Sequence, residues 1–401
     1  KDIKLKKQWT PVQFTVGLGV SMMANQVLSA GVIEEVVVTA EKRAESVQDV
    51  GLSVMAFDEN ALRRGGVEDV SRIDLLVPGV NFAFVGNDAK INVRGANASN
   101  TFADNSPVVG AFVDGVYKAR ASQQSRAFFD VERLEFLKGP QGTLYGRNTF
   151  AGALNLYTNA PNFEGVSGSI STSYERFDTS RVEGYVNVPV SDQLALRVAG
   201  FFEDGDGYID NKAGPDMGAP DDRGIRISAS WLPTDSFDAV LRLSRIEETG
   251  TEGGLFGYTN RCRNVTEQGI TDPFGSEQDC QNPQRGSAGR PNANTIGPWE
   301  ISQDFVPDAD LSEDNITLQM NWDVGPVMIK SISSYTDFEN LIGFDFDFSP
   351  NPHQRGWFDE TAESVTQELQ FISDYEGPFQ WTSGLYYSED DTFFSFSIFD
   401  H

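Results

Sequence analysis

From residue 168 onward, apolar and polar positions alternate in recurring short runs. The alternation predicts strands over 169–174, 181–188, 194–202, 224–231, 237–247, 315–322, 327–338, 366–372 and 379–394. A period of two sends successive side chains to opposite faces, so each strand has one apolar and one polar face. Short connections (189–193, 232–236, 323–326, 373–378) alternate with long ones (203–223, 248–314, 339–365). Short turns at one end and long loops at the other predict an antiparallel transmembrane β-barrel with its long loops outside, because a soluble sandwich does not segregate loop length so regularly.

The preceding stretch, 46–160, has a different texture and predicts a mixed α+β globule. A strand at 50–57 leads to Asp58, which can cap a helix over 59–64 closed by Gly65-Gly66. A second helix is expected over 67–76, ended by Val77-Pro78-Gly79, then strands at 80–84, 91–94 and 108–113, the last turning at Asp114-Gly115. Residues 131–158, VERLEFLKGPQGTLYGRNTFAGALNLYT, give a strand (131–138), a glycine-rich turn at Gly139-Pro140-Gln141-Gly142, a tyrosine-bearing turn at Leu144-Tyr145-Gly146, and a second strand (153–158). Glycine permits positive φ and close backbone approach there, while Pro140 stiffens the turn.

That string closely resembles the end of the plug domain of TonB-dependent outer-membrane receptors. Asn92-Val93-Arg94-Gly95 and Phe112-Val113-Asp114-Gly115-Val116-Tyr117 match the plug pattern as well, so the resemblance runs through the whole 46–160 domain in order. It implies an α+β plug inside an antiparallel barrel of about 22 strands, and active import of a scarce, large nutrient. A ferric siderophore is the default cargo, with oligosaccharide, cobalamin and haem as alternatives. Arg94, Lys138 and Arg147 stand at motif positions; the resemblance makes them locks against glutamates of the inner barrel wall, and the alternative is plain surface charge. Lys138 departs from the more usual arginine, so a bidentate contact there becomes a single ammonium contact. Only about nine strands can be read over 165–401, and an open sheet leaves edges that lipid does not tolerate. The chain is therefore expected to be an amino-terminal portion of a larger receptor.

Residues 1–30 read as a secretory signal peptide: Lys4, Lys6 and Lys7, an apolar segment over 12–24, then small residues to Ala30. The β-branched run that follows, bounded by charges, is a strand-former with no obvious partner in a compact domain. By resemblance, Glu35, Val36, Val37, Val38, Thr39 and Ala40 form the TonB box, with 31–45 as box and linker. Such a segment adds as a strand to the edge of the TonB C-terminal domain, driven by an inner-membrane proton-powered complex. The alternative is an ordinary first strand of the plug.

Composition narrows the field further. A net charge of −28 argues against nucleic acid as a partner. A hydrophobic content of 39% with negative mean hydropathy argues against a bundle of membrane helices, but not against a barrel. Cys262 and Cys280, in a Gly/Pro/Asn-rich stretch, read as a disulfide stapling a long loop in an oxidising compartment, against two unrelated free thiols. The run from Glu203 to Asn211 superficially suggests a calcium loop, but Ala213 stands where the twelfth-position glutamate belongs, which favours a structural turn. Phe344-Asp345-Phe346-Asp347-Phe348 places rings on one face and carboxylates on the other, as a substrate patch or as an aromatic girdle. With histidine only at 353 and 401, no catalytic set emerges, and the glycine-rich turn lacks the Gly-Lys-Ser/Thr ending of a phosphate loop. The expectation is a monomeric transporter in outer-membrane lipid, with no cofactor, no metal and an extracellular nutrient ligand. A passive porin or adhesin with a structural plug is the rival from another class.

Overall fold

The computed structural model describes residues 37–39, 41–43, 45–48, 50–67, 69–85, 88–96, 107–124, 128–251, 299–301, 303–306, 309–345, 354–375 and 377–400. The leader, Glu35, Val36, Ala40, Cys262, Cys280 and the run 346–348 lie outside the described residues, and so does the expected disulfide.

The amino-terminal globule begins with a two-stranded antiparallel ribbon, β1 (Val37–Val38) against β2 (Glu45–Ser46). Val37 and Val38, from the run expected to lack a local partner, thus find one a few residues downstream. Next come β3 (Val54–Asp58), a hairpin of β4 (Val80–Val85) and β5 (Asp88–Val93), then β6 (Val109–Val113), β7 (Val116–Lys118), β8 (Val131–Lys138) and β9 (Gly152–Thr158). Five of these make one sheet in the order β3-β8-β9-β6-β7. Two of its three interior strands, β8 and β9, are the two halves of the 131–158 string. Leu134, Phe136, Leu154 and Leu156 are buried in the main core with Val67, Val70 and Ile73.

Helix α1 (Glu59–Arg64) starts where Asp58 accepts the Ala61 N–H at 2.6 Å and stops at Gly65. The helix expected over 67–76 is instead a 3-10 turn over Val70–Leu75, capped by Asp69 on the Ser71 N–H. Val67, Val70 and Ile73 are all buried. Within the turn, Val70 and Ile73 stand one 3-10 repeat apart and eclipse on the core face. The tyrosine-bearing turn is a single helical turn, α2 (Gly142–Tyr145), ended by Gly146 at φ 77°.

The second element is a nine-stranded antiparallel meander: β10 (Ser167–Tyr174), β11 (Ser180–Ser191), β12 (Leu194–Asp204), β14 (Asp221–Thr234), β15 (Phe237–Glu248), β17 (Ala309–Asp323), β18 (Val327–Asp345), β19 (Gln354–Ser373) and β20 (Thr382–Asp400). Between them, β13 (Asp210–Asn211) and β16 (Glu300–Ile301) pair in parallel outside the meander. The later strands run to 20 residues, well beyond the roughly 9–11 that cross a bilayer, so they project past it on the long-loop side.

The facing of the strands is the inverse of a soluble protein. On β12, Ala195, Arg197 and Ala199 are buried against the globule while Leu196, Val198 and Phe202 point outward, exposed. On β14, Arg226, Ser228 and Ser230 face in and Ile225, Ile227 and Trp231 face out. A polar buried face and an apolar exposed face suit a wall immersed in lipid. At the short-turn rim, Trp231 meets Phe237 edge-on at 6.1 Å and Trp322 is the cross-strand partner of Phe237. Amphipathic rings at that level form an interfacial belt. No helix among the described residues is long and apolar enough to cross a membrane, which says nothing of crossing strands.

On the long-loop side, the run from Glu203 to Asn211 does more than turn. Asn211 accepts the Gln303 N–H and donates to the Gln303 carbonyl, each at 3.0 Å. Ile209, Met217 and Ile301 close a small core above it. The run is a clasp joining two outer loops.

Candidate functional site

The globule sits against the polar face of the wall, and charged side chains decide how it is held. Lys118, at the end of β7, forms an ion pair with Glu313 on β17, and Gln123 donates to the second Glu313 oxygen at 3.0 Å. Only 5% and 2% of the two charged side chains are exposed. Arg120 lies 3.6 Å from Glu360 on β19, whose other oxygen accepts from Ser122 at 3.4 Å.

A second set runs the opposite way, from wall arginines to globule aspartates. Arg197 grips Asp130 through two nitrogens, with Nε to Oδ2 at 2.8 Å. Arg242 lies 3.4 Å from Asp114. Arg226 donates to the Phe129 carbonyl at 3.0 Å and stacks over the Phe129 ring at 4.2 Å. Asp114 and Asp130 both adopt left-handed backbone, φ 50° and 52°, a region aspartate tolerates better than most residues. Asp114 also ties its own sheet, accepting the Thr158 N–H at 2.9 Å and hydroxyl at 2.7 Å.

The short-turn side of the globule holds the 37–43 segment. Val38 is completely buried, packed in a cluster with Phe112, Leu137 and Tyr145. The Thr39 N–H donates to Glu135 Oε1 at 3.0 Å, its hydroxyl bonds the Tyr157 hydroxyl, and the Tyr145 hydroxyl donates to the Thr39 carbonyl at 3.3 Å. Glu135 is wholly buried on β8 and is balanced by Arg133 at 2.9 Å. Burial pushes the Tyr145 and Tyr157 phenols up, so both remain neutral hydrogen-bonding groups. Just beyond, Lys42 meets Glu368 at 3.3 Å. Arg43 reaches the β19–β20 turn, donating to Thr382, Gln380 and Trp381 at 3.2, 2.8 and 2.7 Å.

The residues singled out as locks have different fates. Arg147 reaches the wall, 2.8 Å from Asp390 on β20. Lys138 turns inward on the globule and donates to the Pro78 carbonyl at 2.9 Å. Arg94 occupies a left-handed turn at φ 51°, its N–H on the Gly79 carbonyl. Among the described residues neither Lys138 nor Arg94 forms an ion pair with the wall. Gly139 (φ 92°) and Gly146 use the left-handed freedom of glycine, whereas Gly142 opens α2 and does not need it. Phe344 faces the lumen, stacked on Phe358 at 5.0 Å and on Phe396 at 5.8 Å. Lys118, Arg120, Asp130, Glu313 and Glu360 were not legible as partners in the sequence. A signal existed for the wall members, since a charge at an inward position of an alternating strand must meet something polar.

An α+β globule lodged on the polar face of a sheet whose other face is apolar defines a plugged outer-membrane barrel. The comparisons agree with that class. The TonB-dependent Receptor Plug Domain model matches residues 46–153. The pesticin receptor of Yersinia pestis is 30% identical over 259 residues, 63% of this chain and 36% of the relative. The ferric enterobactin receptor of Pseudomonas aeruginosa is 30% identical over 208 residues, 45% of this chain and 27% of the relative. Among solved structures, the ferric yersiniabactin uptake receptor FyuA from Yersinia pestis superposes with a TM-score of 0.69 at 20% identity, covering 87% of this chain and 50% of that one. Residues 46–153 are a TonB-dependent receptor plug domain, and the strands that follow have the fold of the wall around such a plug. The chain spans about a third of the length of the curated relatives it matches.

Proposed function

We propose that this chain provides the plug and part of the wall of a receptor that imports a ferric siderophore across the outer membrane, energised through TonB. The observation that carries the reading is the 37–39 segment: extended, anchored on the short-turn side of the plug, and therefore available to a periplasmic partner once released. The relatives named for pesticin, ferric enterobactin and ferric yersiniabactin support a siderophore as cargo. Glu35, Val36, Val37, Val38, Thr39 and Ala40 make up the box that adds as a strand to the TonB C-terminal domain.

Docking of the box has a cost to reverse. Exposing Val38 costs about 1.5–3 kcal/mol, and the charge-assisted bond from Thr39 to Glu135 contributes about 1.5–3 kcal/mol more. An undocked box is then a minority of roughly one molecule in a hundred to one in ten thousand. A ligand signals by binding better to the undocked form, which shifts that population without a new contact at the box. TonB pairing replaces the β1–β2 ladder, so backbone hydrogen bonds are exchanged, not lost.

The test uses the full-length receptor in cells. Val37→Pro removes a backbone donor and disfavours strand addition, so ferric siderophore uptake is abolished while binding to whole cells is retained. Uptake that persists in this variant, or in cells lacking TonB, refutes the reading and favours a passive porin or an adhesin.

A further inference from the structure

The ion pair that follows the box has a second cation beside it. Lys42 meets Glu368 at 3.3 Å, with 12% and 18% of the two side chains exposed, and its ammonium lies over the Tyr145 ring at 4.7 Å. The Lys42 backbone is left-handed, φ 64°, a region that a long side chain rarely adopts unless its surroundings impose it. Its N–H closes a turn on the Thr39 carbonyl at 2.9 Å, so the ion pair and the box are held as one unit.

Lys330 stands on the same face of the wall. On β18 it shares its face with buried Ile332 and Ser334, so its side chain points towards the plug. The register sets Lys330 opposite Gln370 and Ile332 opposite Glu368. Lys330 and Glu368 are therefore diagonal neighbours, within reach of a long side chain. With β17 beside β18 and β20 beside β19, neither residue lies at a sheet edge. Among the described residues, part-buried Lys330 forms no hydrogen bond and no ion pair. The charges that bear most on it are those of Lys42, Glu368, Arg133 and Arg242, three of them of its own sign. Gln370 donates to Glu368 at 2.7 Å, but its own Oε1 is buried without a hydrogen bond. An ammonium without a partner, beside a buried acceptor without a donor, destabilises the docked state.

We propose that Glu368 exchanges cations when the box undocks: Lys42 leaves with the box, and Lys330 swings onto Glu368 and the free Gln370 oxygen. This rests on the reading of a box that undocks for TonB. Without a replacement, the departure of Lys42 would strand a largely buried carboxylate on the wall, which is strongly destabilising. With Lys330 beside it, the carboxylate is matched both before and after release. Lys330 thus favours undocking in two ways, repelling Lys42 while the box is docked and taking its place afterwards. The plug sheet and its contacts with the wall stay as they are.

Hydrogen exchange of the 38–42 stretch in the ligand-free, full-length receptor reads the undocked fraction, because Glu135 holds the Thr39 amide only while the box is docked. Lys330→Met is expected to slow that exchange about fivefold to tenfold, whereas Lys330→Arg keeps the parent rate. Glu368→Gln is expected to speed exchange, since Lys42 loses its partner. In the Glu368→Gln background, Lys330→Met should change the rate by less than about twofold. A Lys330→Met receptor that exchanges at the parent rate overturns the proposal. So does an equal slowing with and without Glu368, which would leave only repulsion between two lysines. Capture of purified TonB C-terminal domain tests the reading beneath. If exchange follows the expected pattern yet neither the parent nor any variant captures the domain, the cation exchange stands and the TonB reading falls.

Discussion

Replacing Glu313 on β17 by glutamine should detach the plug from its wall far more than an ordinary surface charge change. Lys118 and Glu313 have 5% and 2% of their side-chain surface exposed, so water cannot take the place of either partner. The second Glu313 oxygen already accepts from Gln123 at 3.0 Å. Glutamine keeps one acceptor but directs an amide donor at either Lys118 or Gln123, and it leaves the ammonium uncompensated. Breaking a buried pair in this way costs about 3–5 kcal/mol. The paired replacement Lys118→Met with Glu313→Met removes both charges at similar volume and should recover part of that loss, leaving about 1–3 kcal/mol for the buried Gln123 amide that has lost its acceptor. The assay is urea unfolding of the plug in detergent-solubilised full-length receptor, at concentrations where the barrel remains folded, followed by proteolytic sensitivity of 46–153. A loss below about 1 kcal/mol for Glu313→Gln alone would mean that the pair behaves as an exposed one. A double variant as weak as the single one would equally refute the argument.

Two glycines of one turn should respond in opposite ways. Gly146→Ala forces a β-carbon into φ 77° and is expected to cost about 1 kcal/mol or more. Gly142→Ala, in a helical position with open space around it, should be neutral or stabilising by up to about 1 kcal/mol, and thermal unfolding of the plug separates the two. At the outer clasp, Asn211→Ala removes both side-chain bonds to Gln303 and should speed amide exchange over 299–303, with a local loss of about 1–2 kcal/mol; unchanged exchange would show that the β13–β16 pairing and the small apolar core hold the loops without it.

Several features of this receptor are written in its residues one after another. Alternation from 168 onward gave nine strands, because a sheet with one face in lipid and one on a polar plug must repeat with period two. The Asp58 cap, the Asp114-Gly115 turn and the two strands of 131–158 were legible because each depends on neighbours within a few positions. Other features were set by side chains far apart in the chain. The segment expected as a helix over 67–76 narrows to a 3-10 turn that puts Val70 and Ile73 into the core, and the Glu203–Asn211 run became a clasp because Gln303 waits across another loop. The plug's hold on the wall is the strongest case. A charge at an inward position can be recognised on its own strand, but its partner is fixed by how the plug seats in the barrel. Lys138, in a conspicuous motif position, turned to the plug's own backbone, while Lys118 and Asp130 met the wall. The sequence determined the elements and their faces through local geometry. Only the tertiary structure decided which charges face one another, because an ion pair depends on distance in space and not on separation along the chain.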